Sequence, residues 1–569
     1  MKKSRLLVML ALLITVFATV GFRTSGFKMN SVLVVDLGGD IPETVPYNPL
    51  LSMFQEDKLL VLDKLTCIEG AASDKMIGAL LVKISDAEYG YATAQEFREA
   101  ILRFKEESDK PVYAYLEVES GGNKEYYIAS AADQVYLSPA SNLHLTGLSV
   151  FRFYLGGLWD KIYMDMQVNK IKEYKSFADM LSRKDMSDAE RRMQSSLLDS
   201  LYSQFTGDIA QGREVSRDAV ENWIDQAWIV PEKYVESGAA DGLAYEDELI
   251  EKLAGKKPDL VAKEKQYLSY LESRQKSFGK KRVAVIFGVG SIIYGEQQSS
   301  PLSSMPVMAS DDMVKQLEKV MKEPDIDAVI FRVNSGGGSA LASDLIWRAT
   351  QRVKKEKPVV VSMSDSAASG GYYVSCGADA VFAQPGTLTG SIGILTAHLS
   401  IGKLLDKIGV GTETLQRGEY ATMNNFHRKL KEKEMEKVHQ SIASTYDLFL
   451  SRVSQGRDLT KERVNEIGRG RVWTGAQAKE KGLVDDVGGY HAALQKVKKM
   501  LGVAPDEKVV LLYKREPASL WDIITGKAGE RFQGMLTPAE KKLLNAVRVY
   551  GMFEPGRPLA ITPGPMEVR

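Results

Sequence analysis

Ser369 lies in "DSAASGGYYVSCGADAVFAQPGTLTGSIGI", residues 365–394, a run crowded with small residues and free of histidine. A serine hydroxyl becomes a nucleophile when a base takes its proton and donors receive the charge that develops on the carbonyl it attacks. The stretch "SGGYYVSCGAD" that starts at Ser369 reads as a helix start, where free N–H groups and the helix dipole favour negative charge. Upstream, "AVIFRV" runs into "NSGGGS", Asn334 to Ser339. Glycines there can take positive φ and turn their N–H groups toward a ligand. The Gly370 N–H, with that of Gly337 or Gly338, can form an oxyanion hole. Taken alone, the glycine loop is also a tight strand-to-helix turn. The base is still to be found.

Comparing the chain with itself supplies one. A shift of 246 residues lays "YYIASAADQVYLSP" from Tyr126 on "YYVSCGADAVFAQP" from Tyr372, and "LGGLWDKI" from Leu155 on "IGKLLDKI" from Ile401. It also lays Glu173-Tyr174 on Glu419-Tyr420, while "SVLVVDLGGDI" from Ser31 echoes "RVAVIFGVGSI" from Arg282. The chain is two diverged copies of one domain. The copies differ where chemistry would sit. Asn123 stands opposite Ser369, "SDAEYG" opposite the glycine cluster, and Lys175 of "EYKSF" opposite Ala421 of "EYATM". One copy holds a serine and donors; the other holds a lysine. A lysine at its usual pKa of about 10.4 is a cation at neutral pH, but burial lowers that value by about 3–5 units and frees the lone pair. Ser391 in "TGSIGI" offers a second hydroxyl to orient the amine. This reading requires Lys175 Nζ within hydrogen-bond reach of Ser369 Oγ in one chain.

The elements that must position these groups follow from the pattern. In each copy an apolar strand ("VLVVD", "VAVIF") leads to a helix, a second strand ("ALLVKI", "AVIFRV"), a longer helix and a third strand ("PVYAYL", "PVVVSM"). That alternation is α/β, with a largely parallel sheet covered by helices. The stretch "RKLKEKEMEKVHQSIASTYDLFLSRVSQG" reads as a helix with a solvated charged face. At 569 residues the chain is too long for one core, and 44% hydrophobic residues with 48 Gly and 19 Pro describe ordinary folded material. The 74 basic and 74 acidic side chains cancel, so no global basic field draws the chain to nucleic acid. Cys67 and Cys376 make no disulfide framework and read as small buried residues.

At the N-terminus, Lys2, Lys3 and Arg5 precede an uncharged run of seventeen residues, Leu6 to Phe22. At about 1.5 Å per residue this is the short end for crossing a core of about 30 Å. A cleaved signal peptide would show a shorter apolar region and an Ala-x-Ala-like site, and "FATVGFRTSGF" contains none. The segment therefore reads as an uncleaved anchor that keeps its basic end in the cytoplasm.

"RVNSGGGSALASD", "SDSAASGGYYVSCGADAVFAQPGTLTGSIGI" and "EYKSFADM" resemble the signal peptide peptidase A family in its long tandem-domain form, from the anchor to about residue 500. The resemblance implies a membrane-anchored serine endopeptidase with a Ser/Lys dyad, Ser369 as nucleophile, Lys175 as general base and Ser391 orienting the lysine. It implies two tandem crotonase/Clp-protease-like domains of repeated β-β-α units, degradation of signal-peptide remnants, no cofactor, and a bowl-like homotetramer. The place implied is the bacterial inner membrane, crossed once, with the catalytic domains on the extracytoplasmic side. Gly336 stands where relatives usually have Pro, so the resemblance does not say which glycine donates to the oxyanion. The divisions expected are 1–27 (basic segment and anchor), 28–275 (the copy supplying the lysine), 276–505 (the copy supplying the serine) and a tail, 506–569. Three rivals differ in their chemistry. A Clp-type Ser/His/Asp protease would use His398, 29 residues after Ser369. A crotonase-like acyl-CoA enzyme would need neither Ser369 nor Lys175. A membrane scaffold would need no chemistry.

Overall fold

The computed structural model describes residues 27–44, 58–255, 257, 260–275, 281–297, 306–513 and 559–562. The expected anchor, Leu6 to Phe22, lies outside the described residues; among these, no helix is long and apolar enough to cross a membrane.

The first copy contributes strands β1 (Ser31–Asp36), β2 (Ile77–Ile84), β3 (Val112–Leu116), β4 (Gln134–Leu137), β5 (Asp165–Lys170), β6 (Gly242–Leu243) and β7 (Val261–Lys263). All except β5 form one sheet in the order β6-β4-β3-β2-β1-β7, with every pair parallel. Parallel neighbours need crossovers, and helices Val61–Ser73 and Tyr91–Glu107 supply those on either side of β2. The run "ALLV" within β2 is buried without a break, as a strand covered on both faces must be.

The second copy contributes β8 (Arg282–Val289), β9 (Ser291–Ile293), β10 (Val307–Ala309), β11 (Ala328–Ser335), β12 (Gly337–Ser339), β13 (Val359–Ala368), β14 (Ala380–Ala383), β15 (Leu388–Gly390), β16 (Leu395–Ser400), β17 (Val472–Thr474), β18 (Asp486–Val487) and β19 (Val510–Tyr513). The parallel order β18-β14-β13-β11-β8-β19 repeats that of the first copy. The far end of β13 also pairs with β15, which β17 joins antiparallel. Because β19 is the counterpart of β7, the second sheet runs to Tyr513, past the boundary expected at residue 505.

A third sheet takes strands from both copies, in the order β10-β9-β12-β20-β16-β5, where β20 is Leu559–Ile561. Its antiparallel β5–β16 ladder runs from Lys170 opposite Leu395 to Asp165 opposite Ser400. This pairing carries the chain that follows β5 into the second copy. A buried ion cluster closes the seam elsewhere. The Arg332 guanidinium of β11, 2% exposed, donates to Glu43 and Glu96 of the first copy at 2.7–3.1 Å and to Ser362 Oγ at 2.9 Å. Beside it, Asp365 of the second copy accepts from Gly90 N and Thr93 N at the start of the first copy's helix Tyr91–Glu107.

Candidate active site

Strand β13 ends at Ala368, and the helix Gly370–Ser375 begins two residues later. Ser369 makes the corner with φ 55° and ψ −113°, a conformation that non-glycine residues rarely adopt. Its N–H donates to Gly390 O at 2.8 Å, which ties the corner to β15. The small residues around it have a steric reason: a Cβ on Gly371 would stand 2.3 Å from Ser335 O.

Lys175 arrives from the first copy. Beyond β5, Ile171 N donates to Ile394 O at 2.9 Å and Tyr174 N to Arg469 O at 3.2 Å, which pins the segment against the second copy. Lys175 Nζ lies 2.7 Å from Ser369 Oγ and 3.0 Å from both the hydroxyl and the carbonyl oxygen of Ser391. All three residues are buried, Lys175 to 1% exposure. Nearby carboxylates are held by other cations: Glu173 pairs with Arg469 at 2.7 Å and Asp179 with Lys170 at 2.5 Å. Burial alone therefore acts on the amine and holds its pKa well below the ordinary lysine value. A neutral amine has two N–H donors and one lone pair. Two donors to Ser391 and a lone pair facing the Ser369 hydroxyl use all three.

The structure also brings the expected oxyanion glycines together. Gly337 has φ +99°, and a Cβ there would stand 2.6 Å from Gly370 N. The Gly337 N–H itself donates to Ser335 Oγ at 3.1 Å, and Ser335 Oγ donates to Gly290 O at 2.6 Å. Ser335 thus shapes the glycine loop. It stood inside the "NSGGGS" motif, but only the glycines there carried an expected role. His398 sits on β16 opposite Gln167, with Nε2 2.9 Å from Arg428 O. In the first copy, the Asn123 side chain accepts from Thr146 N and Gly147 N and donates to Gly147 O, so this position is committed to holding a turn. Ala421, opposite Lys175 in the repeat, is exposed. No group of three or more His, Cys, Asp or Glu that could hold a metal ion occurs among the described residues.

The model of "Peptidase family S49" matches twice, at residues 104–258 and 351–504. The chain is 34% identical over 511 residues to "Serine protease SPPA, chloroplastic" of Arabidopsis thaliana, covering 88% of this chain and 73% of that protein. It is 28% identical to "Protease 4" of Haemophilus influenzae, covering 88% of this chain and 84% of that one. It is 29% identical to "Putative signal peptide peptidase SppA" of Enterococcus faecium, over 51% of this chain and 83% of that one. Among solved structures, ClpP1 N165D of Listeria monocytogenes overlays on 39% of this chain and 99% of its own, at 17% identity and a TM-score of 0.24. A match in both copies, with relatives that span most of the chain, means that the protein belongs to peptidase family S49 and is a serine peptidase.

Proposed function

We propose that Ser369 is the nucleophile of this peptidase and Lys175 its general base, one from each copy. The observation that carries this reading is the 2.7 Å approach of Nζ to Oγ by a buried lysine with no bonded carboxylate. The neutral amine takes the Ser369 proton as Oγ attacks the peptide carbonyl, and returns it to the leaving amine. Ser391 aims the amine from both its oxygens. Gly338 and Gly370 supply the oxyanion N–H groups, since Gly337 N–H is engaged by Ser335. The substrates are signal-peptide remnants and similar extended apolar peptides, in keeping with the names of the relatives. The copies carry the crotonase/Clp-protease-like arrangement of repeated β-β-α units. The N-terminal run anchors the chain once in the inner membrane, with the catalytic domains on the extracytoplasmic side.

A fluorophosphonate serine probe tests the dyad. Labelling should be lost in Ser369→Ala and Lys175→Ala and retained in His398→Ala. Labelling that survives Lys175→Ala, or disappears with His398→Ala, would sink the lysine base.

The repeat also supports assembly into a homotetramer. Shifted by 246 residues, the partners β5 and β16 become 411–416 and 149–154, and neither stretch is a strand within this chain. Phe151, Phe153 and Leu415 are 77%, 67% and 98% exposed. Pairing 411–416 of one chain with 149–154 of the next repeats the β5–β16 ladder and sets Glu413 opposite Arg152. Such head-to-tail contacts form a ring when the rotation between neighbouring chains closes, as a homotetramer requires. Leu415→Asp should therefore reduce the particle mass in sedimentation; an unchanged mass would exclude this contact.

A further inference from the structure

The second copy folds a short loop around the Lys175 backbone. Tyr174 N donates to Arg469 O at 3.2 Å, Ser391 N to Arg471 O at 2.7 Å and Gly470 N to Ile392 O at 2.7 Å. Residues 469–471 therefore bond to the chain beside the base and to the chain that carries Ser391. Between those bonds, Gly470 presses on Lys175 itself. A Cβ on Gly470 would stand 2.6 Å from Lys175 N and 2.9 Å from both its Cα and its Cβ, atoms that cannot swing aside. Gly470 also has φ +81°, a conformation that favours glycine. Gly393 continues the wall: a Cβ there would stand 2.8 Å from Gly470 Cα and 3.2 Å from Lys175 Cδ. The lysine stem thus runs along two glycines to reach the Ser369 hydroxyl.

The duplication sets this loop apart. Arg213 pairs with Asp241 in the first copy and Arg457 with Asp485 in the second, which fixes the local shift at 244 residues. On that shift "GRGR", 468–471, lies opposite "IDQA", 224–227, with Gln226 opposite Gly470. The first copy's helix Arg217–Gln226 continues through the counterparts of 468–470, whereas the second copy's helix Lys461–Ile467 stops before them. The glycine stands only in the copy that faces a lysine, as Ser369 does. We infer that Gly470 is a positioning residue for the general base: the loop 468–471 sets the depth of Lys175, and a side chain at 470 would hold Nζ away from Ser369. The inference rests on the reading of Lys175 as the base.

Gly470→Ala in the full-length chain tests this. The added methyl displaces the Lys175 backbone, so kcat on an apolar peptide should fall at least about 100-fold while KM stays within about twofold. In a Lys175→Ala background the same substitution should lower the residual rate by less than about twofold, because a group that acts through Lys175 has nothing left to act on. A glycine needed only for the fold would cost the same in both backgrounds. Gly393→Ala, at a φ outside the left-handed region, covers the case in which Gly470→Ala does not fold. Its methyl meets Gly470 and the flexible lysine stem, so kcat should fall at least about tenfold, again only when Lys175 is present. Parental kcat in a folded Gly470→Ala chain, or in Gly393→Ala where that chain does not fold, would overturn the inference. So would a loss that persists undiminished in the Lys175→Ala background. If the proposed dyad itself is wrong, Lys175→Ala alone keeps parental activity, which shows before either glycine is changed.

Discussion

Lys175→Ala and Ser369→Ala should each lower kcat/KM on an apolar peptide by about 10³- to 10⁶-fold, and the double variant should be no worse than the more damaged single one. The two groups act as a unit, because a hydroxyl without its base and a base without its hydroxyl are equally inert. Lys175→Arg should not rescue activity, since a guanidinium stays protonated and has no lone pair to offer. Ser391→Ala should cost only about tenfold, since the amine loses one hydrogen bond and keeps its bond to the Ser391 carbonyl. Stability separates these losses from misfolding. Lys175 has a folded-state pKa depressed by burial. Between that value and the unfolded value of about 10.4, the folded chain binds fewer protons than the unfolded chain, so stability falls as pH falls through this window. Lys175→Met removes that penalty, and its melting temperature at neutral pH should be no lower than that of the parent chain.

Arg332→Met should cost about 3–5 kcal/mol of stability, measured by denaturant unfolding. The variant leaves Glu43 and Glu96 buried against each other with no guanidinium between them. Burial already raises the Glu96 pKa above its ordinary value with the arginine present, and removing the cation raises it further. A carboxyl with a raised folded-state pKa contributes less stability as pH rises through that pKa. The deficit should therefore be larger at pH 8 than at pH 5, and Glu96→Gln in the same chain should recover part of it. A deficit below about 1 kcal/mol at pH 8 would mean that the seam does not depend on this cluster.

The residues proposed to carry the chemistry stood out in the sequence because the duplication provides an internal control. Lys175 among 74 basic residues is unremarkable until Ala421 is laid against it, and Asn123 does the same for Ser369. The buried parallel strands were legible as apolar runs. Strand β5, "DMQVNK", was not: all six of its residues are only partly buried, and its partner lies in the other copy. The Arg332 cluster joins residues 289 and 236 positions apart, a pairing no local pattern announces. The choice among Gly337, Gly338 and Gly370 was open because it depends on which way a backbone N–H points, and the Ser335 hydroxyl decides that for Gly337. Strand β19, "VLLY", was not legible because it is a four-residue strand set among charged residues. "LAI" at 559 is too short to read as a strand at all.

The central claim is that a buried, neutral Lys175 deprotonates Ser369, and the pH dependence of kcat/KM tests it most directly. The free enzyme's base must be unprotonated to act, so kcat/KM should rise about tenfold per pH unit and level off at an apparent pKa well below the ordinary lysine value of about 10.4. The residual activity of Lys175→Ala should lack that inflection. A profile that is flat from about pH 6 to 10, or an inflection that persists in Lys175→Ala, would contradict the account.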